Sequence, residues 1–147
     1  MSNRTATYYR RTHRRRGAAM VEMAVACTVF LMLLLGIVEM ARVSWARQVI
    51  TAAAREGARY AVVHGAGSAN PSGPGQNDAA VEARVRHHCY GLQAERVRVA
   101  SSWPLGRNDS SSTVKIEVHY QFTSAAGALI GRRNIPLVAH SEMLISR

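Results

Sequence analysis

The 147-residue chain has only two cysteines, four prolines and 6% aromatic residues. Two cysteines do not make a disulfide-built domain. Cys27 lies inside an apolar run and Cys89 far beyond it, so an intramolecular disulfide is not expected, and pairing of Cys89 between chains stays open. There is no phosphate-binding glycine loop: the glycines of 65–75 are interrupted by Pro71 and Pro74 and followed by the acid Asp78. His64, His119 and His140 have no Ser, Cys or carboxylate constellation around them. His87, His88 and Cys89 are consecutive, so on a helix they point about 100° apart and cannot share one tetrahedral ion. These absences leave no site for an enzyme, a metal or a cofactor. They direct attention to where the charges are.

Acidic residues are missing from the first 16 positions, which hold six of the 19 basic residues: Arg4, Arg10, Arg11, Arg14, Arg15 and Arg16. The whole-chain charge of +10 is therefore concentrated in a head segment, with 13 basic and nine acidic residues in the remainder. Charge is then absent altogether from 23–38, bounded by Glu22 and Glu39. These 16 residues make about 24 Å of helix, and their alanine-rich flanks extend the segment to the ~20 residues that cross a bilayer core. An apolar helix without a polar face is not one that so small a domain can bury. The sequence predicts a transmembrane helix over 18–41. The arginines before it, against Arg42 and Arg47 after it, place the N-terminus in the cytoplasm and the C-terminal hundred or so residues outside it.

Other uses of a basic-then-apolar start fit less well. The apolar run leads into Glu39-Met40-Ala41-Arg42 rather than a small-x-small cleavage site. Cys27 falls too early in the run for a lipoprotein, and Arg10-Arg11 lacks the apolar residues of a twin-arginine signal. Tyr8 and Tyr9 among the arginines would suit nucleic acid, but the membrane reading explains both the charges and their position, so no nucleic-acid partner is expected.

Glu22 is an acid at the start of a membrane segment, five residues after Gly17. It is either solvated at the headgroup level or paired. Basic residues, Gly17, four mostly apolar residues and then Glu22 resemble the prepilin peptidase site of type IV pilins and their relatives. That resemblance implies cleavage between Gly17 and Ala18, with Glu22 neutralising the new terminal amine of a neighbouring subunit. Reading on, Arg16-Gly17-Ala18-Ala19-Met20-Val21-Glu22-Met23-Ala24, then Gly36-Ile37-Val38-Glu39-Met40-Ala41-Arg42, then Ala53-Ala54-Arg55-Glu56-Gly57-Ala58-Arg59-Tyr60-Ala61 resemble the TadE family of tight-adherence (Tad) pilus systems. Ala18 stands where pilins commonly have Phe, and Cys27-Thr28 where the family often has Leu-Pro, so no helix kink is expected there.

The resemblance implies a pseudopilin or minor pilin of a bacterial inner membrane, either retained there or carried into the pilus. Its implied partners are the prepilin peptidase, the Tad inner-membrane platform proteins, a sibling pseudopilin, the major pilin and the lipid bilayer. An uncleaved, signal-anchored periplasmic interaction domain of another envelope or secretion complex is the alternative.

Beyond the span, no proline or turn cluster stops the helix before Val63, so 18–63 makes one helix of about 69 Å, with 42–63 as a stalk. Val43, Ala46, Ile50, Ala53, Gly57 and Tyr60 recur at helical spacing and form a packing stripe. That stripe either meets another pilin-like helix or docks the chain's own sheet. Residues 64–77 are a Gly/Pro-rich loop, read as a hinge or tip. The rest, 78–147, reads as an extracytoplasmic α+β domain, similar in outline to a pilin head. Asn77 or Asp78 caps a second helix that ends at Gly91. Strands follow at Val97 and Val99, over 114–122 with clean alternation, and over 137–145 with Leu137, Ala139, Ser141, Met143 and Ile145 on one face. The expected class is α+β: a long N-terminal helix, a second helix and about three antiparallel strands. The preceding segment, 1–17, is the cytoplasmic leader.

Overall fold

The structure, a computed structural model, describes the backbone of residues 4–73, 78–129, 131 and 133–145, and within these ranges the side chains from Gly17 onward except Leu129. Helix α1 spans Arg4–Val63 and α2 spans Ala79–His88. A 3-10 turn at Ala94–Arg96 leads into strand β1 (Val97–Ser102), followed by β2 (Thr113–Thr123), the one-turn helix α3 (Ala125–Leu129) and β3 (Asn134–Leu144). The chain divides into two compact units, Met1–Val38 and Glu39–Arg147. The fold is α+β, with a three-stranded antiparallel sheet ordered β1-β2-β3.

Period-two patterning sets the register of the sheet. Val114, Ile116, Val118, Tyr120 and Phe122 of β2 all turn to one side and are buried. Their β3 partners are Met143, Ser141, Ala139, Leu137 and Ile135, so the weaker alternation of β3 faces the same side. A one-residue slip would put both apolar sets into water, which makes this register strongly specified. The outer face is mostly polar, with Val138 and Leu144 exposed on it. Lys115 Nζ lies 2.6 Å from Glu117 Oε1, and this lysine holds the Glu117 carboxyl below the usual carboxylate range.

The inner face of the sheet is covered by α2 and by the second half of α1. Ala46, Ile50, Ala53, Ala54, Ala58 and Ala61 of α1 are fully buried, as are Val81 and Val85 of α2. The buried side of α1 is therefore wider than the stripe read from spacing, because Ala54, Ala58 and Ala61 join Ala46, Ile50 and Ala53 in the core. A helix covered by both a sheet and another helix needs that wider apolar face. Full burial of a side chain such as Ile116 contributes about 1.5–3 kcal/mol.

Asp78 caps α2: its carboxylate accepts from the backbone N–H groups of Ala80 and Val81 at 2.9 and 3.1 Å. The helix ends at Cys89 and Gly91, the latter at φ +70°, where a residue with a Cβ is strained. The other candidate cap, Asn77, lies outside the described residues. The described part of the Gly/Pro-rich loop is pinned at Ser72, which is buried and donates to the carbonyls of Ala61 and His64. Asn108 adds bonds to the carbonyls of His64 and Ser72. His64 and Ser72, near the two ends of this loop's described part, are thus held together by side chains, a feature that glycine and proline content does not report. The 3-10 turn and α3 are also absent from the sequence reading, since each is too short to show a period.

Candidate functional site at the apolar helix and its clamp

In the first unit, the helix residues from Gly17 to Val38 carry their apolar side chains outward on every side. Met20, Val21, Met23, Val25, Val29, Phe30, Leu31, Met32, Leu33, Ile37 and Val38 are all more than half exposed. The most apolar 18-residue window of Gly17–Val63 has a mean hydropathy of 2.5, and none of it is buried. In water such a surface is untenable, whereas in hydrocarbon it needs no cover. The single hydroxyl inside the run is satisfied locally, with Thr28 Oγ1 donating to the Ala24 carbonyl at 2.8 Å. Gly17, Ala18 and Glu22 are exposed on this helix, and a Cβ at Gly17 would meet nothing within 4 Å. The side chains of Arg10, Arg11, Arg14, Arg15 and Arg16, read as the orientation signal, lie outside the described residues.

The second unit begins with a buried acid. Glu39 is only 7% exposed. Its Oε1 accepts from Arg42 Nη1 at 2.7 Å and from the Ala125 backbone N–H at 3.3 Å, while its buried Oε2 has no partner among the described residues. Arg42 in turn lies over the Phe122 ring, 5.2 Å from its centroid. One carboxylate thus ties the start of this unit's α1 segment to α3, while the guanidinium tops the end of β2. Sequence reasoning met Glu39 as the end of the uncharged run and as one residue of a family-resembling block, not as a clamp. An acid three residues before an arginine was a visible hint of a helical pair, but Ala125, 86 positions away, was not.

The stripe residues lie in the core of the same unit. Ala46, Ile50, Ala53 and Gly57 are buried, and Val43 and Tyr60 are partly buried. A Cβ on Gly57 would lie inside contact distance of Val85 Cγ2 and 3.5 Å from Ile116 Cγ2, so glycine allows α1, α2 and β2 to meet at one point. Across the same helix pair, Arg84 Nη2 lies 2.8 Å from Glu56 Oε1 and holds the Glu56 carboxyl below its ordinary range. Cys89 is buried, and burial pushes its thiol up. His87 and His88 meet Tyr90 edge-on, and His88 Nδ1 sits 3.0 Å from the Arg84 carbonyl. Among the described residues no three His, Cys, Asp or Glu side chains are grouped to hold a metal ion.

These features describe a class: a chain with one N-terminal apolar helix that fits a single-pass membrane anchor, joined to a small α+β head. A likeness to a particular family lies along the helix itself. Residues 17–59 match the family model described as TadE-like protein, the family that the three sequence blocks resemble. The family is one of Tad-pilus-related pilins, structural rather than enzymatic, and the likeness to it covers this segment. No curated protein and no solved structure matches the chain.

Proposed function

We propose that this chain is a membrane-anchored pseudopilin or minor pilin that acts without catalysis in the assembly of a Tad-type pilus and so in surface attachment. The observation that carries the reading is the coincidence of three features over one segment. These are the TadE-like match over 17–59, the Gly17-to-Glu22 spacing inside it, and an apolar helix exposed on every side. In this reading the N-terminus is cytoplasmic, the head lies beyond the inner membrane, and a prepilin peptidase cuts between Gly17 and Ala18.

The chemistry follows from burying charge in an apolar assembly. Cleavage leaves an ammonium at Ala18, and Glu22 lies one helical turn beyond it. A lone ammonium or carboxylate among packed apolar helices is strongly disfavoured, and pairing the two between neighbouring subunits removes both problems. Partners are then the peptidase, the assembly platform, a sibling pseudopilin and the major pilin, with the bilayer as solvent for the helix.

Mass spectrometry of the protein purified from membranes of a strain with its cognate peptidase should find Ala18 at the N-terminus. An intact terminus at Met1 or Ser2 would instead make the chain an uncleaved, signal-anchored component of another envelope complex. Glu22→Ala should leave processing largely intact and abolish piliation or co-purification with partners. Unchanged piliation would remove the role assigned to Glu22.

A further inference from the structure

A cavity of about 500 Å³ opens in the Glu39–Arg147 unit where the first turns of its α1 segment, the turn after α2 and the end of β2 meet. Clefts that hold small ligands run from about 300 to 1,000 Å³. Its lining has two charged groups, Arg42 and Arg96, and no carboxylate. Glu39 takes one N–H of Arg42 from outside the cavity, and Arg96 gives one to Thr123 Oγ1 and has no acidic partner among the described residues. Each guanidinium carries five N–H groups in a planar fork, so both retain donors suited to an oxyanion. Trp45, Tyr120 and Phe122 supply the aromatic part of the remaining wall, beside small, aliphatic and uncharged polar residues. Phe122 backs Arg42, and Trp45, 48% exposed, stands beside Gly91, where a Cβ would come within 2.8 Å of its ring.

The place of these residues in the chain narrows the anion. Arg42 and Trp45 follow Val38, the last residue of the uncharged run, by four and seven positions. They follow Ala41, the end of the expected span, by one and four positions, about 1.5 and 6 Å at the helical rise, within the roughly 5–7 Å of a headgroup layer. Arginine and tryptophan are the side chains that settle there, and anionic phosphates are the charges they meet.

We propose that this cavity binds the phosphate headgroup of an anionic glycerophospholipid, with Arg42 and Arg96 donating to the phosphate oxygens and Trp45 covering the glycerol. The inference rests on the membrane-anchor reading of the apolar helix. It adds a specific lipid contact that fixes the head against the bilayer surface.

The test uses the full-length protein in a mild detergent, offered equal amounts of phosphatidylglycerol and phosphatidylcholine, with bound lipid read by native mass spectrometry. One phosphatidylglycerol should be retained, in clear preference to phosphatidylcholine. Arg96→Gln should weaken its binding about fivefold, the worth of one basic residue at an anionic surface. Gln93→Glu, which adds an acid at the exposed cavity rim without touching the core, should do the same, while Arg55→Gln, on an exposed part of α1 away from the cavity, should change nothing. Equal retention of the two lipids, or equal losses in Arg96→Gln and Arg55→Gln, would overturn the proposal. Competition by glycerol 3-phosphate at the same concentration as the lipid would make the ligand a soluble phosphate and overturn it too. Alkaline carbonate washing of phosphatidylcholine vesicles separates the two readings. A chain that washes off refutes the anchor and the lipid site with it, whereas a chain that stays and shows no lipid preference refutes the lipid site alone.

Discussion

Gly57→Ala sets two effects of known sign against each other. Helix propensity alone favours alanine over glycine by about 1 kcal/mol in a helix interior. The structure opposes it. The new methyl would fall inside contact distance of Val85 Cγ2, with Ile116 Cγ2 at 3.5 Å and Val81 Cγ1 at 3.8 Å. Val85 and Ile116 are fully buried, and a valine in a helix has one strongly preferred rotamer, so the side chain cannot swing away. Relief must come from moving α1 and α2 apart, and overpacking of that kind costs about 1–3 kcal/mol. With the nearest atom the least able to yield, the steric effect wins, and a net loss of up to about 2 kcal/mol is expected after the helix gain is subtracted. The assay is urea unfolding of the full-length protein in mild detergent, followed by the fluorescence of Trp103, which is buried in the head. Val85→Ala supplies the control, because it removes the obstructing carbons. In that background Gly57→Ala should become neutral or stabilising, giving a coupling of about 2 kcal/mol between the two sites. If Gly57→Ala stabilises the parent protein as much as it stabilises Val85→Ala, the close approach of the helices is wrong.

Glu39→Ala removes the acceptor of the Ala125 N–H, at a cost of about 0.5–1.5 kcal/mol, and hydrogen exchange at Ala125 should accelerate while the middle of β2 is unaffected. Unchanged exchange at Ala125 would dismiss the clamp. For the Glu56–Arg84 pair, the folded carboxyl titrates below its unfolded value, so its stabilisation is complete above the unfolded value and is lost as pH falls through the folded one. Arg84 is 46% exposed and Glu56 26%, so solvent limits the pair to under about 1 kcal/mol. Arg84→Gln should therefore lower stability slightly at pH 7, and its difference from the parent should shrink as pH falls below the ordinary carboxylate range; a difference that stays constant on acidification would assign the effect to packing. At φ +70°, Gly91→Ala should cost about 1–2 kcal/mol and Gly91→Asn less, since asparagine tolerates the left-handed region better. Equal losses from the two variants would point to crowding against Trp45 instead.

The elements that were legible in the sequence are those in which one local rule acts over many residues. The alternation from Val114 to Phe122 fixed a strand and its buried face, Asp78 and Gly91 bracketed the second helix, and the uncharged run after Glu22 announced a helix made for hydrocarbon. Ser141 illustrates how far this extends, since it is polar and yet buried because its parity matches Leu137 and Ala139. What escaped depends on partners remote in the chain. Glu39 is a clamp only because Ala125 lies opposite it, and Ser72 is buried only because Asn108 and the end of α1 enclose it. Likewise Ala54, Ala58 and Ala61 look like ordinary helix formers until α2 and the sheet claim them.

The order in which the core is made also follows from the fold. Its first wall, Ala46 to Ala61, is synthesised first, while Leu137, Ala139 and Ile145, which complete the other side, are the last of the core residues to be made. The central strand β2 pairs with β1 as soon as both exist, but it cannot be covered on its other edge until β3 is finished. A helix anchored by then would confine the waiting strands to the neighbourhood of their template and shorten the search that long-range strand pairing otherwise slows. Truncation before Asn134 would leave β2 with a bare edge beside an exposed half-core, the kind of surface that quality-control proteases and chaperones read as unfinished.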